Sequence, residues 1–383
     1  MALLNLFHSL KQQLAFIVSI VFFIESANAG SLAIFNLLDL PKQKNSVYVN
    51  TQTLLANDAF SLKGLFDDFH GHFSSQNSDY KAIGDIRYDI GTYVKDSFYI
   101  GYAYRKEATI KTSPDTMKLI NQVSNELDLP IGKHYRVALE IEGFETHGMV
   151  LAKTVPLYQS DHWNIKLGLG TEFLYGMQTQ HGTASGEAEA VSRTDYDFFW
   201  QSNYLYTENY LYDLDVNKVT SFGYTTHIAL NVACDNISID FIANDVMGKL
   251  YWKNLPYSNV DLSSANKSYD ENGYVIYAPV ISGFEGNTKF TQTLMKKWRI
   301  KGKYSLGNDS FQIGTDYIDD TYLPYIQYTH LYENNILSTV SYETYFHMVG
   351  VDVKYKNYYV GIQSNGILEP SAMKIDFGLQ YQF

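Results

Sequence analysis

Residues 373–383 read MKIDFGLQYQF. Met373, Ile375, Phe377, Leu379, Tyr381 and Phe383 alternate there with Lys374, Asp376, Gly378, Gln380 and Gln382. A β-strand sends successive side chains to opposite faces, so the pattern predicts a strand with one greasy and one hydrated face. Whether the greasy face meets other side chains or hydrocarbon decides the fold.

The same period of two recurs upstream. Ile86, Tyr88 and Ile90 oppose Asp85, Arg87 and Asp89; Phe98, Ile100, Tyr102 and Tyr104 are interleaved with Tyr99, Gly101, Ala103 and Arg105. Tyr135, Val137, Leu139 and Ile141 oppose Arg136, Ala138, Glu140 and Glu142, and the row from Trp163 to Tyr175 opposes Asn164, Lys166, Gly168, Gly170 and Glu172. Ile237, Ile239 and Phe241 surround Ser238 and Asp240, and Val349, Val351, Val353 and Tyr355 surround Gly350, Asp352, Lys354 and Lys356. Each reads as a strand. Turn signals at Lys95–Ser97, Cys234–Asn236, Gly307–Asp309, Ile318–Asp320, Glu333–Asn335 and Lys356–Asn357 imply hairpins between antiparallel neighbours.

Composition agrees. Tyrosine occurs 33 times and aromatics make up 15% of the 383 residues, while only 18% are charged, a β-rich profile. Residues 1–29 pair Lys11 with an apolar block from Leu14 to Ile24 and the small-residue run Ala27, Asn28, Ala29, which reads as a secretory signal peptide cleaved near Ala29. The block is too short for a spanning helix. A net charge of −12 disfavours nucleic acid as a partner, and Cys234 alone forms no internal disulfide.

Two polar stretches, residues 178–194 and 254–273, have the composition of surface loops. Ser113 followed by Pro114, with Met117, Ile120, Val123 and Leu127 on one side, predicts a helix. The domain reading is a signal peptide over 1–29, an N-terminal segment over 30–79 holding early strands or a plug, and a barrel over 80–383.

The polar rows mix both signs with glycine and alanine, which suits a barrel interior better than an ordinary wet surface. Tyrosine and tryptophan gather at segment ends, as Trp163 and Tyr175 do, matching two interfacial girdles. An exported soluble sandwich or solenoid is the alternative. The signal peptide, the hairpin series and the closing Tyr381, Gln382 and Phe383 resemble bacterial outer-membrane β-barrel proteins. That resemblance implies an all-β antiparallel transmembrane barrel in the outer membrane of a Gram-negative bacterium. It also implies contact with outer-membrane lipids and lipopolysaccharide, and with periplasmic chaperones and an insertion machinery that recognises Tyr381 and Phe383 as an assembly signal. Spanning strands of about 9 to 11 residues give about 14 strands, with 12 to 16 open.

The expected function is a channel or transporter for small solutes. Its lumen candidates are Asp85, Arg87, Asp89, Arg105, Arg136, Glu140, Glu142, Lys166, Glu172, Asp240, Asp352, Lys354, Lys374 and Asp376. Facing rows of opposite sign would set up a transverse field in a wet pore. A closed structural or surface-interaction barrel, serving as an adhesin or export partner, is the second reading, and a lipid- or glycan-acting enzyme the third. No catalytic motif is present, so no catalytic residue is assigned. His70 and His72 beside Asp67 and Asp68 lack a third fixed ligand, so neither metal nor cofactor is expected. Gly168 and Gly170 read as relief of crowding against a neighbour.

Overall fold

The computed structural model describes residues 32–38, 46–94, 98–209, 218–264, 267–269, 275–277 and 281–382. The signal-peptide reading, the Lys95–Ser97 turn and Phe383 lie outside them.

The wall starts with β1 (Ser46–Asn57), β2 (Tyr80–Val94) and β3 (Phe98–Thr112). It continues through β4 (His134–Gln159), β5 (Trp163–Ala190), β6 (Tyr196–Tyr206), β7 (Ser221–Cys234), β8 (Ile237–Asn244) and β9 (Lys249–Ser263). A small hairpin of β10 (Lys267–Tyr269) and β11 (Val275–Tyr277) stands apart. The wall resumes with β12 (Ile281–Thr293), β13 (Lys297–Leu306), β14 (Asp309–Ile318), β15 (Thr321–Leu331) and β16 (Ile336–Glu343), then β17 (Met348–Tyr355), β18 (Tyr358–Ser364) and β19 (Ala372–Gln382).

All strands except the small hairpin form one antiparallel sheet of 17 segments, which closes where β1 pairs with both β2 and β19. Closure removes both edges. Three consecutive pairs, β6 with β7, β8 with β9 and β12 with β13, each run on in one direction along shared neighbours. Counting each pair as one broken stave turns the 17 segments into fourteen staves, compatible with the expected number.

The staves' polarity follows from their turns. Asp235–Asn236, Gly307–Asn308 and Lys356–Asn357 lie at the end of the barrel where β1 begins and β19 finishes. Residues 58–79, 113–133 and 365–371 lie at the other. We call these the turn end and the loop end.

On β19, Lys374, Asp376 and Gly378 are buried inward while Met373, Ile375, Phe377 and Leu379 are half-buried outward. The outer face carries Ile90, Met149, Leu169, Ile239, Ile326 and Val351, all exposed, with Ile313 at 67%. An apolar belt on so many staves far exceeds what a water-facing monomer tolerates. Aromatic rings edge it on both sides. Toward the loop end Tyr88 stacks on Tyr104, Tyr175 meets Phe222, and Trp298 stacks on Tyr317 at 5.0 Å. Toward the turn end lie Trp163, Tyr304, Tyr355, Tyr358 and the Phe311–Tyr328 pair. Between Trp163 and Tyr175, at about 3.3 Å per residue and a tilt of about 45°, β5 rises roughly 28 Å, a hydrocarbon thickness.

Two stretches expected as loops are strand instead. β5 runs to Ala190 and β9 to Ser263, so residues 178–190 and 254–263 rise as an extension of β4, β5, β6, β9 and β12 above the mouth. Their composition disguised them. In 183–190 the inward row is Thr183, Ser185, Glu187 and Glu189, and the outward row consists only of Ala184, Gly186, Ala188 and Ala190. What covers those small residues is remote in sequence. The helix Pro114–Ser124, capped by Ser113 as expected, sets Leu119 in one cluster with Tyr135, Ala188 and Ala190. Its Met117 and Ile120 pack on Ala108, Ile110 and Ile141, beside a second short helix, Leu62–Phe66. No described helix is long and apolar enough to cross a membrane.

Candidate functional site: a plugged lumen

Of the N-terminal segment, residues 46–57 build wall, and residues 32–38 lie inside the barrel. Leu32, Ala33, Ile34, Phe35 and Leu37 are each at most 2% exposed. An extended segment inside a barrel has backbone groups that need partners, and the inward rows supply them. The N–H groups of Leu32, Ala33 and Phe35 donate to Asp316 Oδ2 (2.9 Å), Asp85 Oδ2 (2.8 Å) and Asn244 Oδ1 (2.7 Å). The carbonyls of Ala33, Phe35 and Leu37 accept from Lys297 Nζ (3.1 Å), Asn244 Nδ2 (3.1 Å) and Thr154 Oγ1 (2.8 Å). The Arg87 guanidinium lies 4.7 Å from the centre of the Phe35 ring.

Small residues make the space. A Cβ on Gly168 would come within 2.8 Å of Leu37 Cβ, and one on Gly170 within 3.1 Å of Leu37 Cδ2, so the neighbour these glycines relieve is the plug. Below it, Tyr99 lies across the Gly91–Gly101 rung, where a Cβ on Gly91 would come within 2.4 Å of its ring. Phe35, Tyr48 and Tyr93 meet that ring at 5.9, 6.4 and 6.1 Å.

The charged rows form a network around the plug. Arg87 pairs with Asp89 (2.8 Å) and Glu172 (3.2 Å), and Arg105 with Glu107 (2.7 Å), Asp245 (2.7 Å) and Glu172 (3.6 Å). Lys297 joins Asp85 (3.0 Å) and Glu107 (2.9 Å), while His227 Nε2 lies 3.3 Å from Glu172. Arg299 NH2 donates to Asp316 Oδ2 at 2.7 Å. All these side chains are at most 8% exposed. Charges so buried survive only when paired and hydrogen-bonded. In mid-barrel each of these cations has a carboxylate beside it, so opposite charges meet pair by pair around residues 32–38.

Asp85, Arg87, Asp89, Arg105 and Glu172 thus share one network. Lys374 and Asp376 pair on β19, and Asp352 lies on the Asp376 rung across Gly361. Asp240 pairs with Lys301 at 3.2 Å, nearer the turn end, where Lys166 and Lys354 also point inward. Arg136, Glu140 and Glu142 sit on the inner face of the extension, above the belt. Sequence reasoning missed Glu107, His227, Asn244, Asp245, Lys297, Arg299 and Asp316. The signal for Glu107 was present, two residues beyond Arg105 on the same inward row; Asp245 and Lys297 border stave breaks, where the period is lost.

His70 Nδ1 lies 2.6 Å from the Asp67 carbonyl oxygen, and among the described residues no group of three or more His, Cys, Asp or Glu side chains could hold a metal ion.

Fold and site together define a closed antiparallel barrel with residues 32–38 packed inside it. No family model matches the chain, and no curated protein matches its sequence. Among solved structures it is similar to a deltaS2S3 mutant of the TodX monoaromatic hydrocarbon channel, with 8% identity and a TM-score of 0.46 over 95% of this chain and 97% of that one. It is also similar to the CymD monoaromatic hydrocarbon channel, with 10% identity and a TM-score of 0.32 over 94% and 95%. A Pseudomonas aeruginosa FadL homologue gives 9% and 0.24 over 88% of each chain. These neighbours are β-barrels.

Proposed function

We propose that this protein is an outer-membrane channel or transporter for small solutes, held closed by residues 32–38. The apolar belt with its two aromatic girdles supports the membrane placement. The turn end then faces the periplasm and the extension stands outside the cell. Lipid bathes the belt, and the outward Tyr381 row of β19 is the surface offered to the assembly machinery. The observation that carries the reading is that the plug is held by hydrogen bonds and packing to inward side chains, so it can leave without breaking the wall. Once it leaves, paired charges and small residues line the vacated path, which suits small polar or dipolar solutes.

Single-channel recording in planar bilayers tests this. The native chain should be silent or open rarely, and Asn244→Ala, which removes both hydrogen bonds to Phe35, should open more often. Silence in that variant and after removal of residues 32–38, with the barrel folded and in concentrated salt, would favour the sealed-scaffold reading.

A further inference from the structure

Lys81 and Lys111 form one rung of the β2–β3 hairpin, side by side and both pointing inward at the loop end. Two like charges directly opposite on neighbouring strands are destabilising unless something neutralises them. Glu140 of β4 stands opposite Lys111 on the same inward face, but the ion pairs that the two lysines make reach the far wall. Lys81 Nζ pairs with Asp320 Oδ1 and donates to Thr321 Oγ1 at 2.8 Å, and Lys111 Nζ lies 3.1 Å from Asp319 Oδ2 and 3.2 Å from Asp320 Oδ2.

Asp319 and Asp320 are the two central residues of the β14–β15 turn. In the closed order of fourteen staves, β14 and β15 stand seven places from β2 and β3, so these contacts span the full width of the mouth. The turn is unusual for its residues. Both aspartates have positive φ, 42° and 61°, in a hairpin turn that asparagine and glycine fit with less strain. Two adjacent acids in that conformation repel each other, and the lysine rung opposite is what their charges meet.

Directly beneath, Thr109 Oγ1 of β3 reaches Met295 Sδ at the β12–β13 break, 3.4 Å away. Opposite walls therefore touch at successive levels above the plug.

We infer that the Asp319–Asp320 turn and the Lys81–Lys111 rung form a second gate, an electrostatic clasp across the outer mouth that shuts the lumen independently of the plug. This rests on the channel reading for its purpose, but not for its test. The clasp side chains are partly exposed, with Asp320 at 61%, so salt screens the pairs and the clasp can open without unfolding.

The test places a thiol beneath the clasp in the full chain, as Thr109→Cys with Cys234→Ser, and measures its labelling from outside by a membrane-impermeant maleimide. Asp319→Asn with Asp320→Asn keeps the turn, since asparagine accepts positive φ, and should speed labelling by roughly fivefold or more. Lys81→Gln with Lys111→Gln should do the same, and added salt should speed the parent but neither variant. Equal rates in parent and variants, or a response to only one of the two pairs of substitutions, would overturn the clasp. Bilayer current recorded on the same variants with residues 32–38 also removed separates the two readings. Faster labelling with no current in any of these plug-less chains leaves the clasp standing and removes the pore, whereas current with unresponsive labelling does the reverse.

Discussion

Lys297 and Asp85 meet at 3.0 Å across the barrel lumen, one from β13 and the other from β2, with the plug carbonyl of Ala33 3.1 Å from the same ammonium. One cation thus ties two opposite walls and the plug. Its removal leaves Asp85 and Glu107 as neighbouring carboxylates without it. Lys297→Met should therefore lower barrel stability by about 3 to 5 kcal/mol, read from the denaturant midpoint in detergent. Adding Asp85→Asn should recover part of that loss. Full stability in the single variant would mean that the network does not bind the walls together.

Gly168 tests the fit of the plug. A side chain there would strike Leu37 close to its backbone, where it cannot swing aside. Gly168→Val should expel the plug at a cost of about 1 to 3 kcal/mol, exposing residues 32–38 to protease and raising open probability in bilayers. A protected segment in that variant would refute the docking.

The outward belt is tested at Ile313, which is 67% exposed and sits between the girdles. Ile313→Arg should destabilise a lipid-embedded barrel by about 2 to 4 kcal/mol. On a water-facing sheet the same change would be close to neutral, so refolding into bilayers distinguishes the two environments.

Acid should loosen the clasp. Burial alone would raise the Asp320 carboxyl, but hydrogen bonds from Lys81 and Lys111 outweigh it and hold the group below its ordinary value. A depressed carboxyl stabilises above its unfolded value, about 4, and that contribution disappears as pH falls through the lower folded value. Asp319 and Thr321 share the turn; Tyr345 interacts electrostatically with Asp320, Glu142 with Asp319 and Lys111, and Asp58 with Lys81, while Glu140 stands beside Lys111. A spin label at Thr109→Cys should stay shielded from aqueous relaxing agents from pH 7 down to about 5 and become accessible below about 4. Exposure that begins near neutrality would assign the opening to another group.

The alternation in 373–382, in 85–90 and in 163–175 settled the strands and their inward and outward faces, because side-chain direction along a strand depends on parity alone and needs no partner. It also made the inward rows charged and small, and so made Asp85, Arg87, Asp89, Arg105 and Glu172 legible as lumen groups. Only the closed structure could decide what those rows meet. The pairing of Lys297 with Asp85, the filling of the space over Gly168 by Leu37, and the meeting of Lys111 with Asp319 all join residues far apart in the chain, brought together by closing the sheet. The extension eluded the sequence for a related reason: Ala188 and Ala190 look too small for a buried face until the helix Pro114–Ser124 is seen lying against it.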